Sequence, residues 1–187
     1  MKTRLALAAL AATLAACAVG RPTIKPVPEV DLPRFMGDWY VIAHIPSRPE
    51  RDAFDAVESY RLDEAGRIRT TFRFRKGSFA APLEVMEPVG TVVAGTHNAV
   101  WGMQFTWPIQ AEYVIVDLAP DYSRTIIGRS KRDYVWLMAR TPQLPDAELR
   151  ASLVRIATLG YDTSKVRMVP QSAGLGAATK ERAEPPN

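Results

Sequence analysis

Cysteine and histidine are nearly absent from this chain. One thiol, Cys17, in 187 residues leaves no internal disulfide, so a packed core must hold the fold. The two histidines, His44 and His97, stand far apart, and no paired-cysteine metal motif, His-Glu-x-x-His, nucleophile elbow or phosphate loop occurs. These absences remove the readily recognised hydrolase, kinase and zinc-enzyme chemistries, and no cofactor or metal is implied. No apolar run reaches the roughly 20 residues that a membrane-spanning helix needs. A field of one charge sign is missing as well. The net charge is +4 with both signs interspersed, so the pI of 9.4 does not imply nucleic acid or another polyanion as partner.

What the chain does have begins with an export pattern. Lys2 and Arg4 precede an apolar run over 5–14, and Leu14-Ala15-Ala16-Cys17 places small residues before the cysteine. The segment resembles a bacterial lipoprotein signal, whose lipobox ends in the cysteine that is acylated and becomes the mature N-terminus. That resemblance implies lipidation at Cys17. Because Ala18 rather than aspartate follows, it also implies a lipid anchor at the periplasmic face of a Gram-negative outer membrane. Removing 1–16 leaves 22 basic against 20 acidic side chains. Residues 17–33, with Pro22, Pro26, Pro28 and Pro33, read as an extended, semi-rigid tether. The folded domain is expected over 34–170, and 171–187 reads as a disordered tail.

The domain opens with Gly37-Asp38-Trp39-Tyr40, where Trp39 is large enough to plug one end of a core. Alternation through 39–45 puts Trp39, Val41, Ala43 and Ile45 on one face and Tyr40, Ile42 and His44 on the other, so His44 is expected outside, and His97 in a turn. A strand over 57–62 joins one over 67–75 through Asp63-Glu64-Ala65-Gly66, the clearest hairpin in the chain. In the latter, Ile68, Thr70, Phe72 and Phe74 alternate with arginines on a wet face. Runs at 83–93, 99–107, 112–118, 123–128 and 133–140 complete eight strands. The expected fold is all-β, an eight-stranded antiparallel up-and-down barrel, in which closure removes exposed edges and leaves room for one small ligand. A two-sheet sandwich is the alternative, but the short gaps do not supply its crossing connections. Residues 146–159 read as a C-terminal α-helix packed on the outside, followed by a short strand over 165–169.

With Gly37-x-Trp39 opening the first strand and Arg140 ending the last before a helix, the chain resembles the lipocalin family over residues 30–170. Asp121-Tyr122 looks like the family's second motif, with Pro120 in place of the usual threonine. Arg140 matches the third, and the resemblance implies a guanidinium lying across Trp39 to close the barrel floor, a pair worth about 0.5–2 kcal/mol. Together with the lipobox, the run 132–142 and Gly160-Tyr161-Asp162, the likeness extends to bacterial lipocalin lipoproteins. It implies a fatty acid or lysophospholipid as ligand, the acyl chain inside and the head near the open mouth.

Parity then defines the cavity wall: Val41, Ala43, Tyr60, Ile68, Phe72, Phe74, Met86, Trp101, Met103, Phe105, Trp107, Tyr113, Ile115, Trp136 and Met138. Glu58 shares the parity of Tyr60 and is the candidate for reading a polar head group, or sits at the wet rim. Two other readings use the same residues. An enzyme on this fold needs an acid–base pair in the cavity, for which Glu58 and Asp117 are the only nominees; turnover of a lipid would distinguish it. A structural lipoprotein would have Trp101, Phe105, Trp107 and Trp136 fill the barrel outright. Association as a homodimer is left open.

Overall fold

The computed structural model describes residues 23–172; the expected signal segment, Cys17 and residues 173–187 lie outside the described residues. Strands β1 (Gly37–Ile45), β2 (Ala53–Leu62), β3 (Ile68–Lys76), β4 (Leu83–Met86), β5 (Val89–Val92), β6 (Val100–Thr106), β7 (Ile109–Leu118), β8 (Arg124–Gly128) and β9 (Val135–Ala139) pair antiparallel in sequence order, and β9 returns to β1. The barrel is therefore closed with eight staves. β4 and β5 form one stave, interrupted where Glu87-Pro88 removes a backbone donor. Its register survives the break, since Phe72 faces Met86 and Ile68 faces Gly90. The alternation of direction puts loops 46–52, 77–82, 107–108 and 129–134 at one end, the mouth, and turns 63–67, 93–99 and 119–123 at the other.

The closed end is built by helix α1 (Leu32–Phe35), capped by the Asp31 side chain accepting from Arg34 N at 3.2 Å. Phe35 is fully buried and packs on Trp39 and Trp101, with ring centroids 4.9 and 5.4 Å away. Trp39 Nε1 donates to Phe35 O at 2.8 Å. The Arg140 guanidinium lies 3.8 Å from the Trp39 ring centre and donates to the carbonyls of Asp38, Arg34, Phe35 and Met36 at 2.7–3.1 Å. Gly37 has φ +92°, a backbone conformation that glycine adopts without strain where the chain turns into β1 beside Arg140.

Helix α2 (Asp146–Thr158) buries Ser152 and Ile156 over a second apolar layer on the outer face of β1, β7, β8 and β9. In β9, Val135, Leu137 and Ala139 belong to that outer layer while Met138 belongs to the interior, so a strand apolar on both faces is covered on both.

Three sequence expectations are corrected here. Register shifts at Val41/Ala43 in β1 and Ile115/Asp117 in β7 each insert one extra residue, which reverses the alternation beyond it. Ala43 and Ile45 consequently turn into the outer layer, and His44, expected on the surface, is fully buried opposite Trp136. Residues 23–33, expected as tether, lie along the barrel: Ile24 and Val30 are buried, and Val27 N and Val30 N donate to Ile115 O and His97 O at 2.9 and 3.0 Å. Gln171, expected in a disordered tail, is buried. β10 (Arg167–Met168) pairs with Ala43 and His44 where β2 has left β1, and Gln171 Nε2 bridges the fork by donating to Val41 O and Ala56 O at 2.9 and 3.0 Å.

Arg140→Lys keeps a cation above Trp39 but cannot reach four carbonyls. It is expected to destabilise the domain by at least about 2 kcal/mol in urea unfolding. A loss under about 0.5 kcal/mol, the scale of a neutral surface change, would show that the carbonyl contacts carry nothing.

Candidate functional site

Aromatic side chains fill the closed half of the barrel. Trp101 and Tyr113 stack with centroids 4.8 Å apart and 3° between planes, and Tyr60 meets Trp101 edge-on at 5.6 Å. Above this floor the interior is open, leaving a cavity of about 330 Å³ that reaches the mouth. Its wall is chiefly apolar, from Phe72, Met86, Pro88, Met103, Phe105, Ala111 and Trp136. Polar groups enter at few points: Glu58 and Thr70 from the barrel strands, Glu112 from β7, and Ser47, Glu50, Arg129 and Tyr134 from the mouth loops.

The three carboxylates differ in chemistry. Glu58 accepts a short hydrogen bond from the Tyr60 hydroxyl, which also contacts the Tyr113 hydroxyl at 2.8 Å. Burial is the largest influence and, with Glu50 nearby, outweighs the Tyr60 bond, so the Glu58 carboxyl is pushed up to about 7. Glu50 is also buried, which pushes its carboxyl up. His44 beside it, the Ser47 hydroxyl and Trp136 Nε1, which donates at 2.8 Å, more than offset this and hold the group below the usual carboxylate range. Its Oε2 stands 3.6 Å from His44 Nδ1. Glu112 accepts from Ser130 N and Oγ at 2.7 and 2.6 Å, tying β7 to the loop 129–134. Thr70 Oγ1 is buried without a hydrogen-bond partner. The site thus offers an ionised, well-held Glu50, a Glu58 at the inner end that exchanges its proton near neutral pH, and an unused hydroxyl between apolar walls. Among the described residues, no group of three or more His, Cys, Asp or Glu is arranged to hold a metal ion.

Of the expected wall residues, Glu58, Phe72, Met86, Met103, Phe105, Tyr113 and Trp136 line this space. Val41, Tyr60, Ile68, Phe74, Trp101, Ile115 and Met138 face inward but are consumed by the packed floor and core. Ala43 is outside, for the bulge reason given above. Trp107 is 82% exposed because β6 ends at Thr106 and the chain turns there, and Phe105, 56% exposed, sits only at the rim. Of the four side chains that a filled barrel would have needed, Trp101 is packed in the floor and Trp136 lines the cavity, while Trp107 and Phe105 do not fill it. Glu58 and Asp117 do not form a pair: the β7 bulge turns Asp117 outward, where Arg124 Nη1 and Arg155 Nε donate to it at 2.9 and 3.2 Å. Glu58 is also not at the rim but beside the floor tyrosines. Asp121 accepts from Ser123 N at 3.0 Å, and Tyr122 OH accepts from Asp31 N at 2.9 Å beneath the Arg34 guanidinium, so this motif fastens the floor.

A family model described as a lipocalin-like domain matches residues 30–171. The chain belongs to the lipocalin family. It is 27% identical over 158 residues to temperature-induced lipocalin-1 of Arabidopsis thaliana, covering 78% of this chain and 82% of that one. It is 26% identical over 172 residues to the outer membrane lipoprotein Blc of Escherichia coli K12, covering 89% and 94%. Insecticyanin from the tobacco hornworm Manduca sexta has the same fold, with a TM-score of 0.64 at 19% identity over 82% of this chain and 87% of that one. Family membership supports the binding of a small hydrophobic ligand as the general activity.

Sequence reasoning missed Glu50, Glu112 and Arg129. Glu50 and Arg129 lie in loops, which carry no period, and Glu112 lies on the stretch of β7 that precedes its first β8 pairing at Val114–Gly128. Thr70 and Tyr134 carried the inward parity of their chosen neighbours and were findable by it.

The Glu58 shift has a defined sign in stability. Below pH 4.5 the carboxyl is neutral in both states; between 4.5 and about 7 the unfolded chain releases a proton that the folded protein keeps, so stability falls as pH rises. The loss amounts to about 3 kcal/mol and is complete above about 7. Denaturant unfolding across this window should show native stability falling by about 3 kcal/mol relative to Glu58→Gln, the difference between the two curves isolating this group; parallel curves would place Glu58 in contact with bulk water.

Proposed function

We propose that this lipocalin is an envelope lipoprotein that stores or carries one single-chain lipid, a fatty acid or a lysophospholipid. The observation that carries this reading is the cavity itself: one apolar space of about 330 Å³, shut at the floor and open at the mouth. That is at the lower end of the roughly 300–1,000 Å³ usual for small-molecule sites and suits a slender chain rather than a two-chain lipid. Met86 and Met103 give the wall an adaptable, polarisable surface for a flexible chain. The polar head stays at the mouth, where the Arg129 guanidinium, 3.4 Å from Asp133, lines the cavity, and the chain end lies toward Glu58. A carboxyl at the inner end is compatible with an apolar neighbour because it is neutral over part of the physiological range. A chain seated against it disfavours ionisation further, so binding takes up a proton and weakens as pH rises through about 7.

Calorimetric titration of delipidated protein with a lysophosphatidylcholine and with a fatty acid tests this. One saturable site is expected, at least tenfold weakened in Ala111→Trp, which fills the cavity from a half-buried wall position. Undiminished affinity in the plugged variant would put the lipid elsewhere and remove the carrier reading.

Residence at the outer membrane, on the side facing the periplasm, is supported by the lipobox pattern before Cys17 and by the likeness to relatives named outer membrane lipoproteins. Acylation at Cys17 supplies the anchor. Cys17→Ser is expected to move the protein from the membrane fraction to the soluble envelope fraction with unchanged unfolding behaviour; retention in the membrane fraction would contradict the anchor.

A further inference from the structure

Five of the eight exposed large apolar side chains among the described residues lie at the mouth end. Trp107, Ile109 and Phe105 are 82%, 71% and 56% exposed at the β6–β7 hairpin, and Leu83 and Val85 on β4 are 51% and 52% exposed. The hairpin also overhangs the rim. Thr106 pairs with Ile109 at its tip, whereas β7 first meets β8 at Val114–Gly128, so residues 109–113 extend past the end of β8. Around this projection the mouth-end chain carries Arg48, Arg51, Lys76, Arg129, Lys131 and Arg132 against Glu50, Asp52, Glu84, Glu112 and Asp133; Glu50 is buried, Arg129 is ion-paired with Asp133 at 3.4 Å, and Arg48, Arg51 and Lys76 are exposed.

A separate observation concerns where the described chain starts. Ile24 N donates to Ser130 Oγ at 3.2 Å, in the mouth loop 129–134, and the backbone then runs down the barrel through Val27 and Val30 to the closed end. The chain therefore leaves the barrel toward Cys17 from the mouth end. Thr23 follows Cys17 by six residues. At no more than roughly 3.3–3.6 Å per residue, about 20 Å of chain at most separates the anchor site from the rim. Most of the stretch read as a tether is spent on packing, so its reach is short.

We propose that the barrel sits mouth-down on an anionic lipid surface, with the hairpin tip 105–109 at headgroup depth, so that a single-chain lipid exchanges between bilayer and cavity without crossing water. This rests on the reading of Cys17 as the acylated anchor. The chemistry suits such a surface: the Trp107 indole prefers the interface, the Ile109 side chain beside it prefers the acyl chains, and the exposed cations Arg48, Arg51 and Lys76 match anionic headgroups. Because the anchor makes the contact intramolecular, a small apolar tip suffices.

The test uses full-length protein isolated from membranes and reconstituted into vesicles of phosphatidylethanolamine and phosphatidylglycerol with brominated acyl chains. Vesicle flotation reads the anchor; the difference in tryptophan emission between native protein and Trp107→Phe reads the tip. Flotation with at least twofold quenching of the Trp107 component is expected, reduced when Arg48 and Arg51 are changed to Gln. Flotation without quenching of that component would overturn the orientation while leaving the anchor intact. Failure to float would overturn the anchor and this proposal with it. A Trp107 component shielded in detergent without lipid, together with a doubled mass in light scattering, would assign the tip to a second copy of the chain and overturn the proposal.

Discussion

The Arg140 guanidinium, stacked on Trp39 and donating to four carbonyls around α1, determines which half of the barrel is full and which is empty. It fixes α1 across one end, α1 presents Phe35 to the interior, and Phe35 completes the aromatic floor with Trp39, Trp101 and Tyr60. An eight-stranded barrel has an interior only just wide enough to be filled by side chains. With Phe35, Trp39, Trp101 and Tyr60 packed into the closed half, the open half is lined by Phe72 and Trp136 together with the smaller or more pliable Thr70, Met86, Met103 and Ala111, and a cavity remains between them. The cavity is thus a consequence of where the floor is clamped.

Inside that space, the polar groups are arranged to avoid a buried unpaired charge. Glu50 remains ionised because Ser47, Trp136 and His44 surround its oxygens. Glu58 lacks such a set, having only the Tyr60 hydroxyl, and responds by holding its proton. An inner carboxyl able to hold its proton up to about pH 7 and an otherwise apolar wall are compatible with the proposed ligand, apolar tail inward and polar head outward.

Much of this was legible in the sequence, and the limits have physical causes. The strand count and the outer helix follow from period-two alternation and helix boundary residues, while the Trp39–Arg140 pairing was implied only by the resemblance to the lipocalin family. Inward parity then correctly separated interior from exterior for Phe72, Met103, Tyr113 and Trp136. It failed for Ala43, His44 and Asp117 because alternation carries no mark of a bulge, which arises from how two strands pair. It also could not tell a wall residue from a floor residue: Trp101 and Phe72 share a face, and only their height along the barrel separates packing from lining. Trp107 was misplaced by reading its strand one residue too long. Gln171 and Ile24 were missed because their contacts are with parts of the chain more than 100 residues away.

The central claim is that one acyl chain lies in the open half of the barrel with its end toward the aromatic floor. Crystals grown with a lysophospholipid carrying bromine at the end of its acyl chain test this most directly, because anomalous scattering locates that atom. The account predicts a single bromine peak between Phe72, Met86 and Met103. A peak outside the barrel, or at the rim beside Arg129 with the head group buried, would contradict it.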